Sequence, residues 1–182
     1  MDLLPLLATA TGAVIALSGT LLADVRRDRR QRDRDIDQIR RETCVGFVLA
    51  VNAAHAGLRD VGYSSVQGDD RRDAVHRAVT EAGLYGARER LLMTAPAALV
   101  TAGETTFARL VAIRNAITDG AKTRSREYHD AYHPFATALW QFRLAVRADF
   151  GQEGFTPASV DRTSWSEIET CVFCGGTGTG PA

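Results

Sequence analysis

Residues 3–23 form a run of 21 residues without a charged side chain, and this run constrains the fold more than any other feature of the sequence. At about 1.5 Å per residue, a helix of this length spans roughly 30 Å, the thickness of the hydrocarbon core of a bilayer. Nine of these residues are Leu, Ile or Val, and together they favour insertion by about 3 to 5 kcal/mol. The sequence therefore predicts a single transmembrane helix over residues 1–24.

Three alternatives to a spanning helix fit this run less well. A cleaved signal peptide begins with basic residues and ends at a small-x-small cleavage site. Here the only early charged side chain is Asp2, and Leu21 occupies the −3 position of a cleavage before Asp24. A buried helix of a soluble bundle normally carries charge on one face, and an interfacial helix has a strongly polar face. Residues 3–23 have neither.

The flanks of the run predict its orientation. Residues 26–32 contain five Arg and one Asp, whereas no basic side chain precedes residue 3. Because positively charged flanks stay on the cytoplasmic side, we expect a single-pass protein of the cell membrane with its N-terminus outside and the bulk of the chain in the cytoplasm. The strong preference for Arg over Lys is typical of a GC-rich, bacterial coding sequence.

Small side chains recur at every fourth residue of the predicted span, at Ala8, Gly12, Ala16 and Thr20. Ridges of small residues allow two membrane helices to approach closely. Self-association is therefore one expected interaction, beside membrane lipid and a protein partner.

Residues 25–43 interleave Arg with Asp and contain neither Gly nor Pro. Opposite charges at helical spacing stabilise a solvated helix, so we expect a long, charged juxtamembrane stalk with coiled-coil character. The acidic residues would repel phosphates, and no aromatic side chains are available for stacking on bases. The pattern therefore argues against nucleic-acid binding, as does the formal net charge of zero.

Residues 44–151 predict an all-α, antiparallel four-helix bundle. Apolar stripes of helical period extend over four segments separated by breakers at Gly62, Pro96 and Gly120. In the second segment, we expect a single helix that includes the apolar residues from Val75 to Leu92. The fourth begins either at Ser125, with a kink at Pro134, or near His133. Residues 152–182 are rich in turn-forming residues, so we expect a flexible tail.

The tail contains Cys171-Val-Phe-Cys174 followed by Gly-Gly-Thr-Gly. Two thiolates at this spacing can bind one tetrahedral metal ion. These eight residues resemble one CxxCxGxG arm of the zinc-binding region of DnaJ-type chaperones. The resemblance implies a zinc site, but the second arm is missing. A complete thiolate site would need two protomers, or Cys44 with another ligand. The alternatives are a redox pair or an inert tail.

His129 and His133 are a second candidate pair of metal ligands. Histidines at positions i and i+4 share one face of a helix, which is the spacing found in zinc-protease helices. Asp130 stands where those helices have Glu, and no third ligand is evident from sequence. The candidate metal ligands are therefore Cys171, Cys174, His129 and His133. Zinc is the ion they suit, although the sequence requires no cofactor.

The function expected from the sequence is a membrane-tethered helical interaction module, such as a scaffold, adaptor or sensor subunit. No set of residues has the spacing of a known catalytic site, so we do not expect an enzyme. The alternative is a metal- or redox-dependent protein that uses the Cys171 and Cys174 pair. Three cysteines are too few for a secreted disulfide framework, which favours a reducing compartment.

Overall fold

The computed structural model describes residues 3–174, and within this range it describes the side chains of residues 24 and 26–174. The described part contains five α-helices and no strand, which confirms the all-α class. The helices are α1 (Leu3–Tyr63), α2 (Gly68–Glu81), α3 (Leu84–Thr94), α4 (Ala97–Thr118) and α5 (Arg126–Asp149). Two 3-10 turns follow, at Pro157–Val160 and Ile168–Thr170. The chain divides into two compact units, Met1–Arg41 and Glu42–Ala182.

The predicted transmembrane helix is not confirmed. Among the residues that the structure describes, no helix is both long and apolar enough to cross a bilayer. The predicted anchor and its ridge of small residues depend on the side chains of residues 3–23, which lie outside the described residues.

In the first unit, the side chains of residues 24 and 26–39 are all exposed. Charged and polar groups pair along the helix: Asp37 lies 3.7 Å from Arg40, and the Gln31 amide donates to Asp35 at 2.9 Å. Two apolar side chains, Ile36 and Ile39, are also about half exposed in this segment, at 49% and 53%.

The second unit is a helical bundle with one continuous apolar core. Residues 44–61 of α1 contribute one side of the core, and α2 to α5 contribute the rest. Phe47 of α1 meets Phe142 of α5 edge to face, with ring centroids 5.1 Å apart. Between α4 and α5, the buried Thr106 hydroxyl donates to the backbone carbonyl of Ala138 at 3.2 Å.

The second helix predicted from sequence is in fact two helices, so the bundle unit contains five helical segments rather than four. Gly83 has a φ of 64° and separates α2 from α3. This left-handed conformation is accessible to glycine without steric cost, and it commonly ends a helix. The break turns the chain so that Val79 of α2 and both Leu84 and Leu91 of α3 are buried in the core.

Helix α5 begins before Pro134 rather than after it. The Ser125 side chain accepts a hydrogen bond from the backbone N–H of Tyr128 at 3.3 Å and caps the helix. Pro134 therefore lies inside α5. The early start places His129 and His133 on successive turns of one helix.

The described part of the expected flexible tail, residues 152–174, contacts α5. Trp165 stacks on Trp140 of α5, with ring centroids 4.9 Å apart and an interplanar angle of 23°, and Phe155 meets both rings edge to face. We call Trp140, Phe155 and Trp165 the aromatic clasp. Arg143 and Arg162 lie over the Trp140 ring at 4.5 and 5.6 Å. Residues 175–182 lie outside the described part.

Candidate metal centre

Three of the predicted ligands converge on one point. His129 and His133 project from α5, and Cys171 follows the 3-10 turn Ile168–Thr170. One ligand atom from each of these side chains lies within 4.8 Å of the other two. The His129 Nδ1 is 3.4 Å from the Cys171 Sγ. Two imidazoles and a thiol at these separations can all contact a single metal ion.

His133 has the hydrogen-bonding pattern of an oriented metal ligand. Its side chain is buried, and its Nδ1 is 2.8 Å from the backbone carbonyl of Ser166. Since a carbonyl only accepts, the Nδ1 carries the proton and the Nε2 presents a lone pair. That Nε2 is buried and has no hydrogen-bond partner among the described residues. An N–H to carbonyl bond of this kind fixes the tautomer and orientation of many metal-binding histidines.

Cys174 lies beside this group. Its backbone N–H donates to the Cys171 carbonyl at 3.4 Å in a tight turn, and both cysteines are free thiols. The Cys174 Sγ is 4.0 Å from an oxygen of Asp130, which is the next residue after His129. The turn therefore places Cys174 next to Cys171 and Asp130, while the ligand atoms within 4.8 Å of one another belong to His129, His133 and Cys171.

The electrostatic environment separates the two thiols. Burial opposes ionisation of Cys171, but the neighbouring His133, backbone N–H groups and Cys174 outweigh it and lower the pKa of Cys171 to about 7. Burial, reinforced by the hydrogen bond and charge of Cys171, raises the pKa of Cys174. Burial and the neighbouring His133 lower the pKa of His129. A lowered pKa of the Cys171 thiol and a lowered pKa of the His129 imidazole both favour the deprotonated forms that bind a divalent metal ion.

The aromatic clasp and a short hydrogen-bonded segment position the cysteines. Polar contacts link the residues before Trp165 to those after it: Arg162 pairs with Glu167 at 3.0 Å, and the Ser164 hydroxyl donates to Glu169 at 2.6 Å. The Phe173 ring then stacks on the His129 ring, with centroids 4.6 Å apart. Residues 166–174, which we call the cysteine segment, are thus held against the face of α5 that carries the histidines.

Two features of this centre escaped sequence reasoning. The histidine pair lies beside Cys171 within one chain, whereas Cys44 is buried in the bundle core. The docking of the cysteine segment was also missed. Its only signal in the sequence is Phe155 and Trp165, two large aromatic residues in a stretch otherwise rich in turn formers.

Comparisons with protein-family models, curated proteins and solved structures found no match to this chain. The resemblance to a DnaJ-type zinc arm is confined to the residues around Cys171 and Cys174. In place of a second cysteine arm, this chain has the histidines of a helix. Its function is therefore inferred from the chemistry of the site itself.

Proposed function

We propose that this protein is a membrane-tethered helical interaction module whose C-terminal segment is fastened by zinc to α5. The ligands are His129, His133, Cys171 and Cys174. The observation that supports this proposal is the convergence of imidazole and thiol ligand atoms from two distant parts of the chain to within 4.8 Å.

The donor set favours zinc over other common ions. Two imidazole nitrogens and two thiolates form a tetrahedral Cys2His2 set, which suits Zn²⁺, whereas Mg²⁺ and Ca²⁺ prefer oxygen ligands. Four protein ligands leave no open position for a substrate, so this set favours a structural role over a catalytic one. Zinc would link His133 of α5 to Cys171 and so stabilise the packing of the cysteine segment on α5, because metal binding contributes directly to folding free energy.

The metal content of the full-length protein tests the zinc centre. The protein is purified in mild detergent without chelators, and its metals are measured by inductively coupled plasma mass spectrometry. We expect a single zinc ion per chain, lost in His133→Gln and in Cys171→Ala. The exposed His76 and the core residue Cys44 provide matched controls, and His76→Gln and Cys44→Ala should retain zinc.

The proposed zinc centre is contradicted if the wild-type protein contains no zinc, or if the control variants lose as much zinc as the ligand variants do. Thiol titration of the same samples tests the redox alternative. A disulfide between Cys171 and Cys174 in metal-free protein would support a redox pair in its place.

The tether is proposed from the uncharged run at residues 3–23 and the Arg-rich flank at 26–32. We propose a cell-membrane location with the N-terminus outside. Membrane fractions should retain the full-length protein after carbonate washing. Ile15→Arg places a charge at the centre of the run, which costs about 3 kcal/mol on the insertion scale, and should release the protein. Ile36→Arg makes the same change at an exposed position and should not.

Release of the wild type into the supernatant would contradict the tether and leave the zinc centre to be judged by its own test. The orientation is tested separately. A C-terminal tag should be protected from protease in intact spheroplasts and cleaved after lysis. Cleavage before lysis would contradict the proposed orientation.

A further inference from the structure

A cavity of about 300 Å³ borders the candidate metal centre and shares His129 with it. Its walls come from α1, from the turn before α5, from α5 itself and from the cysteine segment. The lining includes two arginines, Arg59 and Arg124, and the aromatic rings of His55, Tyr63, Tyr128, Tyr132 and Phe173. A cavity of this size is at the lower end of the range that holds small-molecule ligands.

Three rings in the cavity form a nearly parallel set. The planes of His55, Tyr128 and Tyr132 lie within 10° to 19° of one another, with centroids 5.5 to 6.5 Å apart. The Tyr128 hydroxyl lies 2.9 Å from the His55 Nε2 and holds the two rings together across α1 and α5. Flat aromatic surfaces favour ligands with a planar ring, since such rings stack on them or meet them edge to face.

The charge of the cavity is positive. No Asp or Glu is among its lining residues. Arg88 and Arg162 each pair with a carboxylate at 2.6 to 3.0 Å, but no such ion pair involves Arg59 or Arg124 within the described part of the chain. Burial, followed by the charge of Arg59, lowers the pKa of His55 to about 4, so its ring is uncharged at neutral pH. Unpaired guanidinium groups favour carboxylate or phosphate ligands, which they can bind through two hydrogen bonds.

We infer that this cavity binds a small anion carrying a planar aromatic ring, with Tyr128 and Tyr132 contacting the ring and Arg59 and Arg124 contacting the negative charge. A neutral aromatic ligand would leave the two guanidinium groups without a counter-charge. A simple anion without a ring would not contact the aromatic side chains. The inference goes beyond the proposed zinc centre. The two sites meet at His129 and Phe173, which line the cavity as well as the centre.

Probes that separate ring from charge test the inference by isothermal titration calorimetry on the full-length protein in detergent. AMP carries a ring and a phosphate, and 4-hydroxybenzoate carries a ring and a carboxylate. Adenosine has the ring alone, and ribose 5-phosphate has the charge alone. We expect AMP or 4-hydroxybenzoate to bind, and which of them binds more tightly identifies the anionic group. For AMP, affinity should exceed that of both single-feature probes by about tenfold or more.

Substitutions then locate the site. Arg59→Gln and Arg124→Gln should each weaken binding of the better anion about tenfold, and Tyr132→Leu should weaken binding of the ring. Arg77→Gln removes an exposed arginine from α2 and should leave the affinity unchanged. Circular dichroism of each variant verifies that its helical fold is retained.

The inference is overturned if neither AMP nor 4-hydroxybenzoate binds at millimolar concentration, or if Arg77→Gln weakens binding as much as the cavity variants do. Repeating the titration in chelator separates the two sites. If binding depends on zinc and His133 but not on Arg59 or Arg124, the anion binds to the metal, and the cavity is not the binding site. Arginine-dependent binding to protein that never holds zinc supports the cavity and rejects the zinc centre.

Discussion

Arg71 is a charged side chain inside the bundle, with 3% of its surface exposed. Its guanidinium donates to the backbone carbonyls of Ile117 and Ala121, the latter at 2.6 Å, and to that of Val66 at 3.3 Å. These carbonyls belong to the end of α4, the turn after it and the loop before α2. A positive charge at the C-terminal end of a helix is favoured because the last carbonyls lack partners within the helix.

Replacing Arg71 should therefore destabilise the bundle strongly. Arg71→Met keeps much of the side-chain volume but removes the guanidinium that donates to all three carbonyls, and we expect a loss of about 3 kcal/mol in the free energy of unfolding. The neighbouring Arg72 is exposed and pairs with the exposed Asp69. Arg72→Met should change stability by less than about 0.5 kcal/mol. Urea unfolding of both variants measures the difference, and equal losses would contradict the role assigned to Arg71.

His55 makes the stability of the fold depend on pH. Its pKa is about 4 in the folded chain, against an ordinary value of 6.5. Between these values the unfolded chain binds a proton that the folded chain does not, so the free energy of unfolding rises with pH. The stability associated with neutral His55 is complete above about pH 6.5 and is lost as the pH falls towards 4, by at most about 3 kcal/mol.

His55→Gln removes the titrating group and retains an acceptor for the Tyr128 hydroxyl. We expect the stability of this variant to fall less steeply than that of the wild type between pH 6.5 and 4.5, as measured by urea unfolding at each pH. His76→Gln, at an exposed position, should follow the wild-type curve. Parallel curves for wild type and His55→Gln would show that His55 is not the group responsible.

At the residue scale, sequence reasoning placed side chains on helix faces but did not find their partners. Arg114 follows the helical spacing of the buried residues of α4, but it is half-buried and contacts the neighbouring Asn115 at 3.0 Å, while Glu104 pairs with Arg88. Periodicity could not single out Arg71, because it lies in the highly charged first turn of α2 and its carbonyl partners are distant in sequence.

Among the elements, α1 and α2 lie close together at Gly57. A Cβ placed there would lie 2.9 Å from the Ala78 Cβ and 3.3 Å from the Ala78 Cα. The second atom belongs to the backbone and cannot move aside by a rotamer change. The glycine therefore permits this helix contact, although its intrinsic helix propensity is poor.

Gly57→Ala should push α1 away from α2 and lower the free energy of unfolding by about 1 to 3 kcal/mol. Gly46 lies on the same helix, and a Cβ added there would have no neighbour within 4 Å. Gly46→Ala should therefore stabilise the chain by about 0.5 to 1 kcal/mol. Thermal unfolding of the two variants provides the comparison. A stabilising Gly57→Ala would show that the helices separate easily.

Helices with continuous apolar stripes were predictable, and α4 is the clearest case. Its buried residues recur at the three- and four-residue spacing of a helix face, which the sequence shows directly: Leu99, Gly103, Thr106, Leu110, Ile113 and Ile117. The break at Gly83 was not predicted, because the apolar residues on either side continue at roughly helical spacing. Only the left-handed backbone at Gly83 shows that the chain changes direction there.

At the scale of the whole molecule, the candidate metal centre depends on two segments far apart in the chain. Both ligand pairs were predictable from spacing alone. The proximity of the two pairs was not predictable, because it depends on the packing of residues 152–170, whose sequence has no periodic apolar pattern. The aromatic clasp supplies that packing and so determines where Cys171 lies.

The clasp should therefore contribute to zinc affinity without touching the ion. Trp165→Ala removes the stack on Trp140, so the cysteine segment must be ordered at the moment of binding. We expect zinc affinity to fall about tenfold, as measured by competition with a chromophoric chelator. Val160→Ala alters a partly exposed side chain in the same segment and should leave affinity unchanged. An unchanged affinity in Trp165→Ala would mean that the metal positions the segment by itself.

Trp140 and Trp165 are also the only two tryptophans in the sequence. Because their indole rings are stacked at 4.9 Å, their excited states should couple and give a paired positive and negative band in the far-ultraviolet circular dichroism spectrum. The tryptophan fluorescence of the protein should likewise report on this one contact. The protein thus contains an intrinsic optical signal for attachment of its C-terminal segment, readable without any added label.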